Sequence, residues 1–465
     1  MTSITSEQAL SLPMLFPFYS CLDYDFMHYM KITIMISIIL SLCAISFLVY
    51  GNSAANFTVY AQSDLQTIKY RDLVIDLGNG VKTNAQLTYP AVGKGPFPGV
   101  LLIHGTGLVD MNETAGLIRI DNKTGQKIYP PTQPFWQISE YLSERGFAVL
   151  RYDKRGVGTN HTILDSDVWG NATINDLMHD ADRALDVLIQ QPEVDDDKIT
   201  LIGHSEGTTI APRVAIANPG KVDNIVLMGA VAQNVVREIG YFQAVTLPLL
   251  YAQQVLDHDH NGLLSVQEAS TNPVFSTLSG NLTLRLTQNI ITANGTAKQL
   301  RSQYNTNNDT FVSINDELKP ILIDNLKSLS VTTVTPGNKC STHPCPIWVR
   351  SQAALEPTLS IIGNVPPTTG ILIQQGQNDS QTPIQQAFLL QQALIDKKHP
   401  DHTLITYPNL GHVFYPSSEW LTSLGPIQPY VLADLYAWLE AHSGFTRVPN
   451  DMPLSNSSSS KSTTK

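Results

Sequence analysis

Ser205 stands in Gly203-His204-Ser205-Glu206-Gly207, directly after the apolar run KITLI and directly before TTIAPRVAIA, which reads as a helix. A serine on so sharp a strand-to-helix turn needs small flanking residues, and the helix N-terminus that follows favours negative charge. The chemistry this suits is nucleophilic attack on a carbonyl. A hydroxyl is a poor nucleophile until a base takes its proton, and that base must be oriented by an acid. On a site of this kind the partners follow in the order serine, acid, histidine, each just after a late strand. Asp379 follows GILIQQ in Gly376-Gln377-Asn378-Asp379, and His412 follows TLITYP in Asn409-Leu410-Gly411-His412. Asp401 precedes its strand and competes weakly. His402 and His442 lie where no strand end would present them and are expected on the solvated surface. Two backbone N–H groups must also face the developing oxyanion. Glu206 supplies one candidate, and Thr106 in His104-Gly105-Thr106-Gly107 supplies the other, its neighbouring glycines letting the backbone approach a substrate.

A second constellation has different chemistry. Residues 257–268 read DHDHNGLLSVQE, with oxygen-bearing side chains Asp257, Asp259, Asn261, Ser265 and Glu268 at the first, third, fifth, ninth and twelfth places. The backbone carbonyl of Leu263 stands at the seventh, Gly262 at the sixth, where the chain needs a positive φ, and Leu264 at the eighth. That is the ligand spacing of an EF-hand calcium loop. His258 and His260 occupy non-ligand places and are expected to face water. Such loops usually come in pairs, and residues 305–316 offer a second. Asn305, Asn307, Asp309, Ser313 and Asp316 repeat the oxygen spacing and Val312 the apolar eighth place, but Thr310 replaces the glycine and would need an unfavourable φ. The expectation is a degenerate partner packed against a first loop that holds a structural calcium ion, with no cofactor for catalysis.

The elements that must position these residues are legible in the pattern. Residues 70–77 and 81–89 alternate around Gly78-Asn79-Gly80, a hairpin signal. Apolar strands are then expected at 100–104, 147–152, 198–202, 224–228, 370–374 and 403–407, with amphipathic helices between them. Leu177, Ala181, Ala184, Leu185 and Leu188 share one helical face, as do Val431, Leu432, Leu435, Trp438 and Leu439. Alternating strands and helices imply an α/β fold, a mostly parallel central sheet flanked by helices. The alternation stops over residues 233–356, too long for a strand-to-helix connection and better read as a largely helical cap insertion. The chain divides into a leader (1–61), a first core part (62–232), the cap (233–356), a second core part (357–446) and a polar low-complexity tail (447–465).

Only 15% of the 465 residues are charged, and the net charge of −11 argues against nucleic acid as a partner. Residues 32–50 form an uncharged apolar run after Lys31, which predicts a signal peptide or signal anchor and hence export. N-x-S/T sequons recur along the chain, although the one at Asn378 is crowded by Asp379. With the leader set aside, Cys340 and Cys345 remain, an even pair that favours a small disulfide loop in an exported chain.

The segments LLIHGTGLVDMNET, LRYDKRGVG, LIGHSEGTTIAP, GQNDSQTP and NLGHVF together resemble the alpha/beta-hydrolase superfamily, closest to its esterases and serine aminopeptidase-like members. The resemblance spans residues 70–443 apart from the insertion. It implies Ser205 as nucleophile, His412 as base, Asp379 as its partner, and Thr106 with Glu206 as oxyanion donors. Asp153 and Arg155 match a loop with a structural role, while Thr208 stands where the family commonly has glycine. The function expected is an exported serine hydrolase cleaving carboxylic esters through an acyl-enzyme. The core motifs leave open a peptidase with the same triad, acting on a short peptide, and a calcium-binding surface protein without activity. Membrane contact is expected only through an uncleaved leader.

Overall fold

The structure is a computed structural model that describes residues 67–115, 119–120, 127–129, 132–270, 290–294, 297–331 and 345–444. The leader, the tail and Cys340 lie outside the described residues. The elements that position the site begin with β1 (Ile68–Gly78), β2 (Val81–Pro90) and β3 (Phe97–Ile103). Helix α1 (Pro134–Ser143), β4 (Ala148–Tyr152), α2 (Ile174–Ile189), β5 (Val194–His204), α3 (Gly207–Ala217) and β6 (Asn224–Met228) complete the first part of the core. In the insertion lie β7 (Leu263–Ser265), β8 (Phe311–Ser313) and α4 (Pro346–Ala354). The core resumes with β9 (Gly370–Gly376), α5 (Gln385–Asp396), β10 (His402–Tyr407) and α6 (Pro429–His442).

Eight strands form one sheet in the order β1-β2-β4-β3-β5-β6-β9-β10. β1 pairs with β2, and β2 with β4, antiparallel; every later pair is parallel. The hairpin forms where the sequence predicts it. Asn79 and Gly80 both take positive φ, 53° and 79°, as a two-residue connection between twisted strands requires. All residues of β3 and β4 are buried, because helices cover both faces of the sheet there. Alternate residues serve opposite cores. Val100 and Leu102 pack with Phe135 and Ile138 of α1 and Val431 and Leu435 of α6. Leu101 and Ile103 pack on the other side with Leu185 and Leu188 of α2 and Ala211 of α3. The two predicted apolar helical faces are buried throughout. Thr173 and Asp176 form a capping box that fixes the start of α2. Arg155 holds that helix through Asp180, in line with a structural role.

The insertion has its own core, in which Tyr251, Leu256, Leu264, Val312, Ile314 and Leu318 come together. Its described residues are largely helical with short ribbons. Residues 235–256 are nearly continuous helix with π-helical stretches around Leu247–Tyr251, and Lys319–Val331 is another helix. β7 and β8 pair antiparallel with Leu264 opposite Val312, so the two eighth-place residues meet as expected for paired loops. α4 ends the insertion but joins the main core through Trp348 and Val349. No helix among the described residues is long and apolar enough to cross a membrane, and residues 32–50 lie outside them.

Leu264 and Val312 are fully buried against each other's strands. Leu264→Ala is expected to cost about 2–5 kcal/mol, read as a lower midpoint for the cap in calorimetry; an unchanged midpoint would show that this contact does not hold the cap.

Candidate active site

The turn that carries Ser205 is built from backbone in contact with backbone. Ser205 has φ 53°, a left-handed conformation rare for a residue with a side chain, and its N–H donates to the Met228 carbonyl at 2.9 Å. A Cβ on Gly203 would collide with the Gly207 carbonyl, and one on Gly207 with the Ile103 carbonyl, so both flanking positions require glycine. Thr208, one residue on, is buried yet satisfied. Its Oγ1 donates to the Ser205 carbonyl at 2.6 Å and accepts the Val231 N–H at 2.9 Å, which ties the turn to the segment after β6. Ser205 itself remains half-buried, open enough to be reached.

Asp379 and His412 meet at the ends of β9 and β10, with Asp379 Oδ2 2.8 Å from His412 Nδ1. The carboxylate is held firmly. Its Oδ1 accepts the N–H groups of Gln381 and Thr382 at 2.8 and 2.9 Å, while Thr382 Oγ1 and Gln375 Nε2 both reach Oδ2 at 2.9 Å. Burial opposes ionisation, but His412 and these donors outweigh it and hold the Asp379 pKa below the ordinary carboxylate value. The imidazole of His412 lies over Gly229, where an added Cβ would come within 3.1 Å of its Cε1. Gly229 directly follows the residue whose carbonyl binds the Ser205 N–H, so the His412 ring and the serine turn are braced by the same two-residue segment. Among the described residues no hydrogen bond joins Ser205 Oγ to His412; in ligand-free sites such bonds are often long.

Among the described residues, no other hydrogen bond takes up the N–H of Thr106 or of Glu206. Both are free to donate. Asp401 pairs instead with His442, 3.3 Å away, at the opposite end of the sheet from Ser205. This corrects the expectation for His442, which is half-buried and stacked on Trp438, and His402 is half-buried too. Helix α6 runs along one face of the sheet, from Val431 near the end of β9 to Trp438 at the strand starts, and so brings His442 to Asp401.

Sequence reasoning missed a second buried acid–histidine pair. Glu113 accepts the Gly105 N–H at 2.6 Å on Oε1, and its Oε2 lies 2.9 Å from His204 Nδ1 as an ion pair off hydrogen-bond alignment. His204 Nε2 faces the His412 carbonyl at 3.1 Å. With an acceptor opposite each nitrogen, the ring is suited to carry both protons. Burial lowers the His204 pKa, but Glu113 and the His412 carbonyl outweigh it and raise the value above that of ordinary imidazole. Burial likewise raises that of Glu113, and His204 with the Gly105 N–H brings it below the carboxylate norm. The pair links the Gly105 loop, the serine turn and the His412 loop. The only signal in the sequence was an acid shortly after the glycine-rich turn.

In the cap, carboxylate oxygens of Asp257, Asp259 and Glu268 lie within 4.8 Å of one another, with Asp257 only 3% exposed. Asn261 Oδ1 accepts the Leu263 N–H, and Ser265 Oγ donates to Glu268 at 2.8 Å. Gly262 has φ 80°, and His258 and His260 are exposed, both as the spacing requires. The second loop departs from expectation twice. Positive φ falls on Asn308, at 63°, and Thr310 avoids it. Glu317, not Asp316, plays the part of Glu268. It accepts the N–H groups of Thr306 and Ser313 at 2.7 and 2.8 Å, as Glu268 accepts those of His258 and Ser265. A π-helical turn over Ile314–Leu318 goes with that one-residue offset. Cys345 is disulfide-bonded. Its expected partner, Cys340, is outside the described residues. Asn378 Nδ2 donates to the Ser417 carbonyl at 2.8 Å, committing that sequon's amide within the fold.

The sheet order, with a strand-to-helix serine turn at its centre and an acid and a histidine at the ends of its last two strands, places the molecule in a recognisable class. The chain belongs to the alpha/beta hydrolase fold family, whose model matches residues 99–417. It is similar to Esterase EstD of Thermotoga maritima, at 30% identity over 171 residues. That match takes in 37% of this chain and 34% of the relative, so the chain spans about a third of the curated relative's length. Among solved structures it is similar to hypothetical protein PA2218 of Pseudomonas aeruginosa, at 16% identity and TM-score 0.44, covering 81% of this chain and 94% of that one. It is also similar to Est1E of Butyrivibrio proteoclasticus, at 14% identity and TM-score 0.39, covering 80% and 99%.

Stability supplied by the charged form of His204 is complete below its unfolded pKa of about 6.5 and is lost as pH rises through the elevated folded value. The contribution of Glu113 and Asp379 is present above their unfolded values and is lost as pH falls through the depressed ones. Raising the pH from about 6 to about 9 is therefore expected to lower the melting midpoint of the wild type more than that of His204→Gln. Equal losses in calorimetry would remove the imidazolium assignment.

Proposed function

We propose that this chain is a serine hydrolase that cleaves carboxylic esters through an acyl-enzyme. The observation that carries the proposal is the buried Asp379–His412 pair, held at 2.8 Å with its ring over Gly229, next to the residue whose carbonyl binds the N–H of a strained, half-buried Ser205. In the first step Ser205 Oγ attacks the ester carbonyl carbon and its proton passes to His412 Nε2. Asp379 stabilises the imidazolium through Nδ1. The carbonyl electron pair moves to oxygen, where the N–H groups of Thr106 and Glu206 receive the charge. Collapse of this adduct re-forms the carbonyl and breaks the bond to the leaving oxygen, which departs as an alcohol with the proton from His412. Water then attacks the acyl carbon, gives a proton to His412, and the serine leaves with it. Similarity to Esterase EstD supports the choice of esters.

The proposal includes a structural calcium ion in the cap. Three carboxylates so close, one of them buried, repel unless a cation lies between them, and a donor set made wholly of oxygen suits a hard one. Asp257, Asp259, Asn261, Ser265 and Glu268 would hold it together with the Leu263 carbonyl, and it would brace the cap without taking part in the reaction. The apolar run at residues 32–50 and the disulfide at Cys345 support export, to a place where calcium is abundant.

Ser205→Ala is expected to abolish both p-nitrophenyl ester hydrolysis and labelling by a fluorophosphonate, a loss of at least about 10³-fold in kcat. Hydrolysis that survives this substitution would end the serine mechanism. Saturating calcium, at about 100 times its Kd, should stabilise the cap by about 2.7 kcal/mol. Glu268→Gln should erase most of that shift; a melting curve indifferent to EDTA would exclude the ion.

A further inference from the structure

Lys154 is a buried cation that the ester-cleaving steps leave without a task. It is 3% exposed, and its Nζ donates to the Gly105 carbonyl at 2.7 Å and to Glu206 Oε2 at 2.9 Å. The other oxygen of Glu206 accepts Trp348 Nε1 at 2.6 Å and Gln352 Nε2 at 2.5 Å, both from α4. These contacts fall on both candidate oxyanion donors. The Gly105 carbonyl and the Thr106 N–H belong to one peptide group, so a charged donor on that oxygen draws electron density from the nitrogen and strengthens the N–H as a donor. Glu206 provides the other N–H, and its own carboxylate would repel a developing oxyanion unless it were neutralised.

We propose that Lys154 is a positioning residue for the oxyanion hole, acting through the Gly105–Thr106 peptide on one side and by neutralising the Glu206 carboxylate on the other. This assignment rests on the ester-hydrolase proposal above and names an electrostatic component of that site. The loop geometry agrees with it. The Lys154 N–H donates to the Val109 carbonyl at 3.2 Å, and Asp153 Oδ1 accepts the Met111 N–H at 2.8 Å, so the lysine's turn and the Gly105 loop are strapped together. Gly105 is fixed from the other side by Glu113. A lysine that served only to dock α4 would have no need of the Gly105 carbonyl.

The test is a double-mutant cycle of Lys154→Met and Glu206→Gln in the full chain, after Ser205-dependent ester turnover has been established in the wild type. Lys154→Met is expected to lower kcat about 100-fold with KM little changed. It should also weaken inhibition by a phenylboronic acid, whose serine adduct is a tetrahedral anion, by a similar factor. Adding Glu206→Gln removes the unpaired carboxylate and is expected to restore kcat by about 10-fold or more, leaving the shortfall due to the unpolarised peptide. Should Lys154→Met not fold, the double variant, neutral at both positions, reads the same shortfall against wild type. A Lys154→Met or double variant that keeps wild-type kcat and boronate affinity, even with a lowered melting midpoint, overturns the proposal and leaves a purely structural ion pair. Absence of turnover in the wild type is a different result, because it rejects the ester-hydrolase proposal itself.

Discussion

Everything at the site depends on how closely two pieces of backbone approach each other at the end of β5. The chain leaves the strand, reverses at Ser205 with positive φ, and enters α3 so tightly that the Gly207 backbone lies against the Ile103 carbonyl of the neighbouring strand. That contact exists only because two residues lack a Cβ. It exposes the hydroxyl, frees the Glu206 N–H, and sets β3 and β5 so that the Gly105 loop lies beside Ser205. The strain is offset by bonds from several directions, among them Ser205 to Met228 and Thr208 to Val231.

Around this turn the polar groups form a framework with few loose ends. Glu113 joins the Gly105 loop to His204, His204 reaches the His412 carbonyl, and His412 leans on Asp379. Residues as far as 208 positions apart in the chain are thus held directly to one another by polar contacts in a dry environment, where each is stronger than it would be in water. Such a framework favours a site that is assembled before substrate arrives.

What the sequence disclosed, and what it hid, follows from the range of the interactions involved. Helix faces, strand runs, the Asn79-Gly80 turn and the order of Ser205, Asp379 and His412 are local patterns or short motifs, and they appear in the structure with boundaries shifted by a few residues. Glu113, Lys154 and Trp348 gave no such signal. A lone acid or lysine in a loop reads as solvated, and only the folded chain shows that each is buried opposite a partner far away in sequence. The second cap loop shows a subtler limit. Counting in twelves selects Asp316, whereas a π-helical turn brings Glu317 into the matching position. His442 was misjudged for a similar reason, because the helix that carries it folds back over Asp401.

The attachment of α4 to Glu206 constrains what may replace that helix. Helix α4 is bolted, through an indole and a carboxamide, to the side chain of the residue that follows Ser205. A transplanted segment lacking both groups would leave one oxygen of a buried carboxylate without its donors, so a chimera exchanging α4 must alter position 206 in concert or inherit that defect.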